Sequence, residues 1–482
     1  MAKWFLVVII LLGLTVRLYK IDSPIADWHS WRQADTAAVT RSLLKDGFNP
    51  LIPKYDDLSN VSSNGLVNPK GYRFVEFPIY NILVYPFYLM FGVNPIFDRL
   101  VSALASLGSI IFIFLITRKY VSEFTGLLAA LFFAILPFNI FFSRTTLPEP
   151  TFIFLALGMV FFVDRWIDKD DRLNYWLGLG FMTAALLMKP WAIFFMPPLF
   201  YAITKKVKSL ATFFRKYLVF FFLGIIPFIL WRLWILQAPE GIPASDWLMN
   251  GDGIRFKPAF WWWIISERFG KEILGVTGAV LFFLGLLFRP KSGNYFLHIW
   301  ALSSFLFMVI FATGNVRHNY YQTGFLPIAS IFLGIGFTKL VEGVNGFVPR
   351  IWTILLALLF LPLTFYFTWK VNAEFYKVNN PVIMEAGNAA DRILPKDAKV
   401  VAPYNGDTAF LYQINRQGFP VVSLPIADLI SVYGVSYYIS TSMDSKTAWV
   451  LRHFPIVTQT ESYVVADLTR IRMPLTEEDP EP

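Results

Sequence analysis

IFDRLVSALASLGSIIFIFLIT at residues 96–117, then Arg118-Lys119, then FTGLLAALFFAILPFNIFFS at residues 124–143, decides what kind of chain this is. Each apolar block is about 20 residues long, enough to cross a hydrocarbon core of ~30 Å at about 1.5 Å per helical residue. The basic pair between them marks a short loop on the cytoplasmic side. Working outward, similar blocks recur at about 4–20, 149–165, 173–189, 190–204, 216–236, 272–288, 294–313, 321–340 and 351–369. The expected fold is therefore an all-α polytopic membrane bundle of about 11 transmembrane helices. A small C-terminal α/β domain follows it.

Composition agrees. Apolar residues are 56% of the chain and charged residues 16%, with 50 Phe and 16 Trp. Soluble domains hold about 45–50% apolar and about 25% charged residues. The mean hydropathy is +0.53. The net charge of +9 sits largely in short loops, so it reads as topology and not as nucleic-acid binding. The absence of Cys excludes a disulfide framework, a thiolate metal site and a cysteine nucleophile. The first block has no small-residue cleavage site after it, since Arg17 and Lys20 flank Leu18 and Tyr19, and reads as a signal anchor.

Orientation follows from Lys and Arg. With the N-terminus inside, the inner loops are Arg118-Lys119, Arg165 to Arg172, Lys205 to Lys216, Arg289 to Lys291 and Lys339 to Arg350. The outer turns hold Arg144, Lys189 and Arg317 singly. This bias places the C-terminal tail outside a cell membrane. Phe77 to Phe91 (FPIYNILVYPFYLMF) is short and interrupted by Pro86, so it is expected to lie flat as a juxtamembrane helix.

Two domains are expected. Residues 1–369 form the transmembrane domain, with a first outer loop over about 21–95, and residues 370–482 form the soluble one. The tail alternates helices (Pro381 to Leu394, Ala427 to Tyr433) with strand-like runs at 399–402, 420–424, 437–439 and 463–465. The ending, Glu477 to Pro482, is acidic and reads as disordered. No internal repeat is visible, and ionisable residues avoid the middles of the spans. A transporter or lipid flippase, the alternative reading, places charges along a midplane pathway.

Chemistry is then expected at the outer surface. In Ile25 to Thr36, Ser30 and Gln33 have capping-box spacing, which predicts a helix starting there and ending at Gly47. Asp35 falls one turn after Arg32, where a carboxylate can accept a hydroxyl proton or simply pair with that Arg. Glu76 stands between apolar residues just before the flat segment, where an acid is paired, used or solvated. Arg144 to Pro150 is a tight outer turn. It places Glu149 at a helix start, which suits both a capping acid and a functional one beside Arg144. Lys189, before Pro190, and the cluster Arg317-His318-Asn319-Tyr320-Tyr321 supply cations and hydroxyls suited to a lipid-anchored phosphate. His318 lacks a second His at ligand spacing, so it reads as a turn residue rather than a metal ligand.

In order, these features resemble the GT-C superfamily of membrane glycosyltransferases. The nearest pattern is that of bacterial members of the family holding protein O-mannosyltransferases and the aminoarabinose transferase acting on lipid A. The resemblance is carried by His29 to Thr36, Glu76-Phe77-Pro78, Arg144 to Glu149, Arg317 to Tyr321 and the outward tail. It implies a polyprenyl-phosphate-linked sugar as donor and a protein, lipid or glycan acceptor. Asp35 matches the first-loop acid by location. The family's adjacent Asp-Glu is missing, so Asp27 stays a second candidate. Where the aminoarabinose transferase has Lys-Pro-Pro, this chain has Glu76-Phe77-Pro78, which moves the phosphate contact to Lys189 or Arg317. Some superfamily members use a divalent cation and others do not, and the metal site is left unknown. The implied mechanism is a direct displacement with inversion. Asp35 takes the acceptor proton, Arg317 with Lys189 or Arg144 opposes the phosphate, and Glu149 orients the acceptor or a cation.

Overall fold

The computed structural model describes residues 1–290, 293–343 and 348–474. Lys291, part of the expected inner loop from Lys339 to Arg350, and the acidic ending Glu477 to Pro482 lie outside the described residues. The chain divides into two compact units. One comprises residues 1–21, 96–234 and 245–376, and the other 22–95, 235–244 and 377–482.

The first unit is helical. Among the described residues, five helices are long and apolar enough to cross a membrane: Pro95–Tyr120, Glu149–Lys169, Leu210–Ile235, Asn319–Glu342 and Arg350–Tyr376. A sixth candidate is the pair Pro258–Ile273 and Gly275–Leu286, bent by 110° between them. The other expected spans correspond to shorter helices, so length alone does not reproduce a count of eleven. Ala2–Arg17, Glu123–Ile135, Arg172–Met188 and Phe296–Ile310 hold 16, 13, 17 and 15 residues. Proline explains part of this, because it lacks the N–H that continues a helix. Pro137 opens a separate Pro137–Phe142 helix, and Pro190 starts a 3₁₀ segment before Pro197–Lys206.

Glycine sets the closest helix contact. A Cβ at Gly336 would fall 1.9 Å from the Leu281 carbonyl oxygen, and one at Gly285 would fall 2.1 Å from that of Phe332. Helices Gly275–Leu286 and Leu326–Glu342 thus pack backbone to backbone, the arrangement small residues permit in lipid. The bend before Gly275 uses that residue's left-handed φ of +65°.

The second unit is built on a five-stranded sheet. Its strands are β1 (Lys399–Val401), β2 (Gly418–Phe419), β3 (Val435–Ser440), β4 (Ile456–Gln459) and β5 (Val464–Asp467), in the order β2-β1-β3-β5-β4. The first three are parallel, and β5 runs antiparallel to β3 and β4. Helices Val382–Ile393 and Ile426–Ser431 stand where the tail pattern placed them. The run 420–424 is not a strand; β2 stops at Phe419, where Pro420 cannot donate to a ladder. Strand β4 went unread because it is an edge strand, largely exposed, without inward alternation.

The first outer loop, expected with the transmembrane domain, groups instead with the tail. Gly418 explains this. Its N–H donates to Asp56 O at 2.8 Å and its carbonyl accepts from Leu58 N at 2.8 Å. Leu58 is itself buried in the core with Val401, Phe419 and Tyr438. The juxtamembrane segment forms a 13-residue helix, Ile79–Phe91, in this same unit. At about 1.5 Å per residue it is too short to span. Asn81 fastens it to the Ser30–Lys45 helix by donating to Thr36 O at 2.7 Å and to Thr40 Oγ1 at 2.8 Å.

Candidate active site

In the sheet-bearing unit, the Ser30–Lys45 helix carries the site. It starts one residue away from a capping box. His29 is the N-cap, held left-handed at φ 55°, and Ser30 is already helical. Ser30 Oγ donates to Asp407 Oδ2 at 2.7 Å, and Gln33 Nε2 donates to Asp27 Oδ1 at 2.6 Å. Both side chains predicted to cap the helix are thus drawn to carboxylates instead. The end of the helix is as expected, with Gly47 at φ +95°.

Asp35 is buried, not at a surface. It pairs with Arg73, whose Nη2 lies 2.6 Å from Oδ2, and not with Arg32. Its other oxygen accepts from Thr408 Oγ1 at 2.6 Å, and Thr408 also donates to Trp31 O at 3.1 Å. Arg73 lies over the Tyr55 ring at 4.8 Å. Arg32 goes to Glu76 instead, at 2.6 Å, so the acid before the juxtamembrane helix is paired rather than solvated. Burial, opposed by hydrogen bonds from Ser59, pushes the Asp57 carboxyl up to about 6. Burial also raises that of Asp407, against hydrogen bonds from Ala409 N and Ser30.

The helical unit holds a second group. Pro148 and Pro150 flank the start of Glu149–Lys169, and Lys189 caps the end of Arg172–Met188 in an extended conformation before Pro190. These two ends meet, with Lys189 Nζ 2.8 Å from Glu149 Oε1 and both side chains buried. The ion-pair partner of Glu149 is thus Lys189, where the tight turn suggested Arg144. Arg144 is fully buried, donates to Lys20 O at 2.9 Å, and lies over the Phe141 and Tyr376 rings at 5.1 and 4.6 Å.

Arg317 differs from both: its side chain is 54% exposed, 3.1 Å from Asp252, and lies over Trp247 at 5.4 Å. His318 stacks on Tyr320 at 5.4 Å, and Tyr320 meets Tyr321 edge-on at 4.8 Å. The loop is braced from below by a charged group the sequence reading missed. Arg268 pairs with Glu272 and donates to Val316 O at 3.0 Å, and Asn319 donates to Glu272. The i,i+4 spacing of Arg268 and Glu272 was the one local signal for it. It lies in wide π-helical turns over Trp263–Ile273, a form no helical pattern announces.

Within their units the structure brings together Asp35 with Arg73 and Thr408, Arg32 with Glu76, Glu149 with Lys189, and Arg317 with His318, Tyr320 and Tyr321. Among the described residues, no group of three or more His, Cys, Asp or Glu is arranged to hold a metal ion. The acid oxygens of Asp35 are instead committed to an Arg and a Thr.

Comparison with known proteins bears on this geometry. Residues 77–231 match the family described as dolichyl-phosphate-mannose-protein mannosyltransferase. A stretch of 98 residues is 36% identical to part of an uncharacterized protein of Aquifex aeolicus (strain VF5), spanning 20% of this chain and 24% of that one. Among solved structures, ArnT from Cupriavidus metallidurans bound to undecaprenyl phosphate superposes with a TM-score of 0.63 at 13% identity. That match covers 97% of this chain and 98% of ArnT. The chain shares the GT-C fold. The apo form of ArnT gives a TM-score of 0.65 at 14% identity, with the same coverage of both chains. The oligosaccharyltransferase AglB from Archaeoglobus fulgidus, in complex with an inhibitory peptide and a dolichol-phosphate, gives 0.55 at 10% identity, covering 98% of this chain and 75% of AglB. The resemblance to GT-C membrane glycosyltransferases thus extends over nearly the whole chain, and its apolar helices accord with a membrane location.

Proposed function

We propose that this chain is an integral membrane glycosyltransferase. It moves a hexosyl or pentosyl group from a polyprenyl-phosphate carrier to an acceptor hydroxyl on the outer face of the cell membrane. One observation carries the reading: the whole chain, not one segment of it, follows the fold of a protein solved with undecaprenyl phosphate bound. Nothing in the donor set calls for a metal, so every role falls to side chains. Asp35 accepts the acceptor proton, oriented for it by Arg73 and Thr408. Arg317 is the exposed cation among the expected phosphate contacts, and it opposes the charge that gathers on the departing phosphate. Arg144 and Lys189 are buried cations, and Lys189 already faces Glu149. The C–O bond to the carrier phosphate breaks as the acceptor oxygen bonds the anomeric carbon, with inversion.

The experiment is release of free polyprenyl phosphate from a labelled polyprenyl-phosphate sugar by purified protein in lipid, with membrane extract as the source of acceptor. Acceptor-dependent release supports a transferase. Carrier that crosses the bilayer with its sugar intact would support a flippase instead.

Sidedness is tested separately on the Cys-free chain. Lys208→Cys, in the exposed basic loop, should be labelled only from the cytoplasm, and Glu461→Cys, in the exposed tail, only from outside. Asp407 is unsuitable as a reporter because it holds Ser30 and the Ala409 N–H. Labelling of both positions from one side would overturn the orientation.

A further inference from the structure

The helical unit contains a crevice whose lining includes Glu149, Trp191, Ser304, Phe307, Tyr320 and Tyr321. We propose that this crevice is the subsite for the sugar of the lipid-linked donor, and that it takes a neutral, hydroxyl-bearing pyranose. The inference rests on the glycosyltransferase reading above and adds to it the chemical class of the transferred group.

Three observations carry it. The first is Glu149 itself, 3% exposed and part of the crevice wall. Apart from the Lys189 ion contact, neither of its oxygens accepts a hydrogen bond among the described residues. Buried acceptors in folded proteins find donors, and one left open at a cavity wall is an acceptor waiting for a ligand's O–H. The second is the wall. The Trp191 and Tyr321 rings meet at 5.2 Å and 67°, with both residues half-buried. Apolar aromatic walls with a few placed polar groups are how proteins hold small ligands, and a pyranose offers apolar C–H faces to rings and hydroxyls at its rim. The crevice is narrow, which suits a ligand one ring thick.

The third observation is charge. Glu149 and Lys189 sum to zero, and Lys189 lies 5.2 Å over the Trp191 ring. A hydroxyl can donate to the carboxylate and accept from the ammonium together, which no charged substituent can do. An acidic sugar would meet Glu149 with like charge. An amino sugar would bring a second ammonium to a carboxylate already opposed by Lys189. The carrier phosphate belongs elsewhere, at the exposed Arg317.

The test uses full-length protein in lipid nanodiscs and measures binding of undecaprenyl phosphate in four forms: bare, and carrying mannose, glucose or glucosamine. Wild type should bind at least one neutral hexose form about tenfold more tightly than the bare carrier, the size expected for hydrogen bonds to a charged group. The glucosamine form should show no such gain. Glu149→Gln should abolish the gain and leave bare-carrier affinity unchanged. Trp191→Leu should do the same through loss of a wall, and it reads the site if Glu149→Gln does not fold. Equal loss of sugar-bearing and bare carriers, a gain that survives both variants, or preference for glucosamine overturns the subsite. No binding of any form by wild type overturns the transferase reading itself, and the subsite with it. Bare-carrier binding without any sugar dependence overturns the subsite alone.

Discussion

Asp35→Asn should lower transfer by ~10²–10⁴-fold, the range for loss of a general base. The readout is acceptor-dependent release of free carrier phosphate. Unlike a surface acid, Asp35 should also show in stability, because it is buried against Arg73. Removing one member of a buried ion pair costs about 3–5 kcal/mol, since the remaining charge stays uncompensated. The thermal midpoint of the single variant should therefore fall along with its activity. Pairing Asp35→Asn with Arg73→Met removes the stranded charge and should recover most of the stability but none of the transfer. Recovery of activity in the double variant would make Asp35 a structural counter-ion only. Asp27→Asn is the control and should be milder, because an Asn oxygen can still accept from Gln33 Nε2. An inactive Asp27→Asn beside an active Asp35→Asn would move the base to Asp27.

Arg317→Ala should weaken binding of undecaprenyl phosphate by about tenfold, near the lower end for a hydrogen bond to a charged group. The lower end applies because the Arg317 side chain is 54% exposed and solvent screens it. Arg317→Lys should recover only part of the loss if the guanidinium grips two phosphate oxygens. Asp252 competes for the same guanidinium, so Asp252→Ala should act in the opposite sense. Surface pairs contribute about 0.2–1 kcal/mol, so the gain is at most a few-fold and shrinks as salt is added. Unchanged affinity in Arg317→Ala would place the phosphate at other cations, with Lys189 the next to test. A loss with Asp252→Ala would show that Asp252 positions Arg317 rather than competing with it.

The residues singled out from the sequence were mostly the right kind in the right loops, but their partners were not legible. Arg32 and Asp35 stand one turn apart on a helix, so local reasoning paired them. The structure sends Arg32 to Glu76 and Asp35 to Arg73, 44 and 38 positions away. Ser30 and Gln33 have capping-box spacing, yet each finds a carboxylate instead. A side-chain cap is a weak local preference, and a buried carboxylate needing donors outweighs it. Thr408 and Asp407 were invisible as site residues because they approach the helix from the tail, 373 positions from Asp35 and 377 from Ser30. The bundle shows the same limit. Proline and π-helical turns break several apolar blocks, so a block of spanning length in the sequence is not always one helix in space.

What the sequence by itself determined is the class of protein and the ends of its parts. Apolar block length, the Lys and Arg in the loops, and the alternating tail all act locally, through the free energy of placing each stretch in hydrocarbon or water. They needed no knowledge of the fold. What only the tertiary structure decided is which charge answers which: Asp35 with Arg73, Arg32 with Glu76, Glu149 with Lys189, and Arg317 exposed beside Asp252. Such pairings are set by the approach of segments far apart in the chain. In a buried setting an ion without its partner is too costly to persist, so packing rather than spacing selects the pairs.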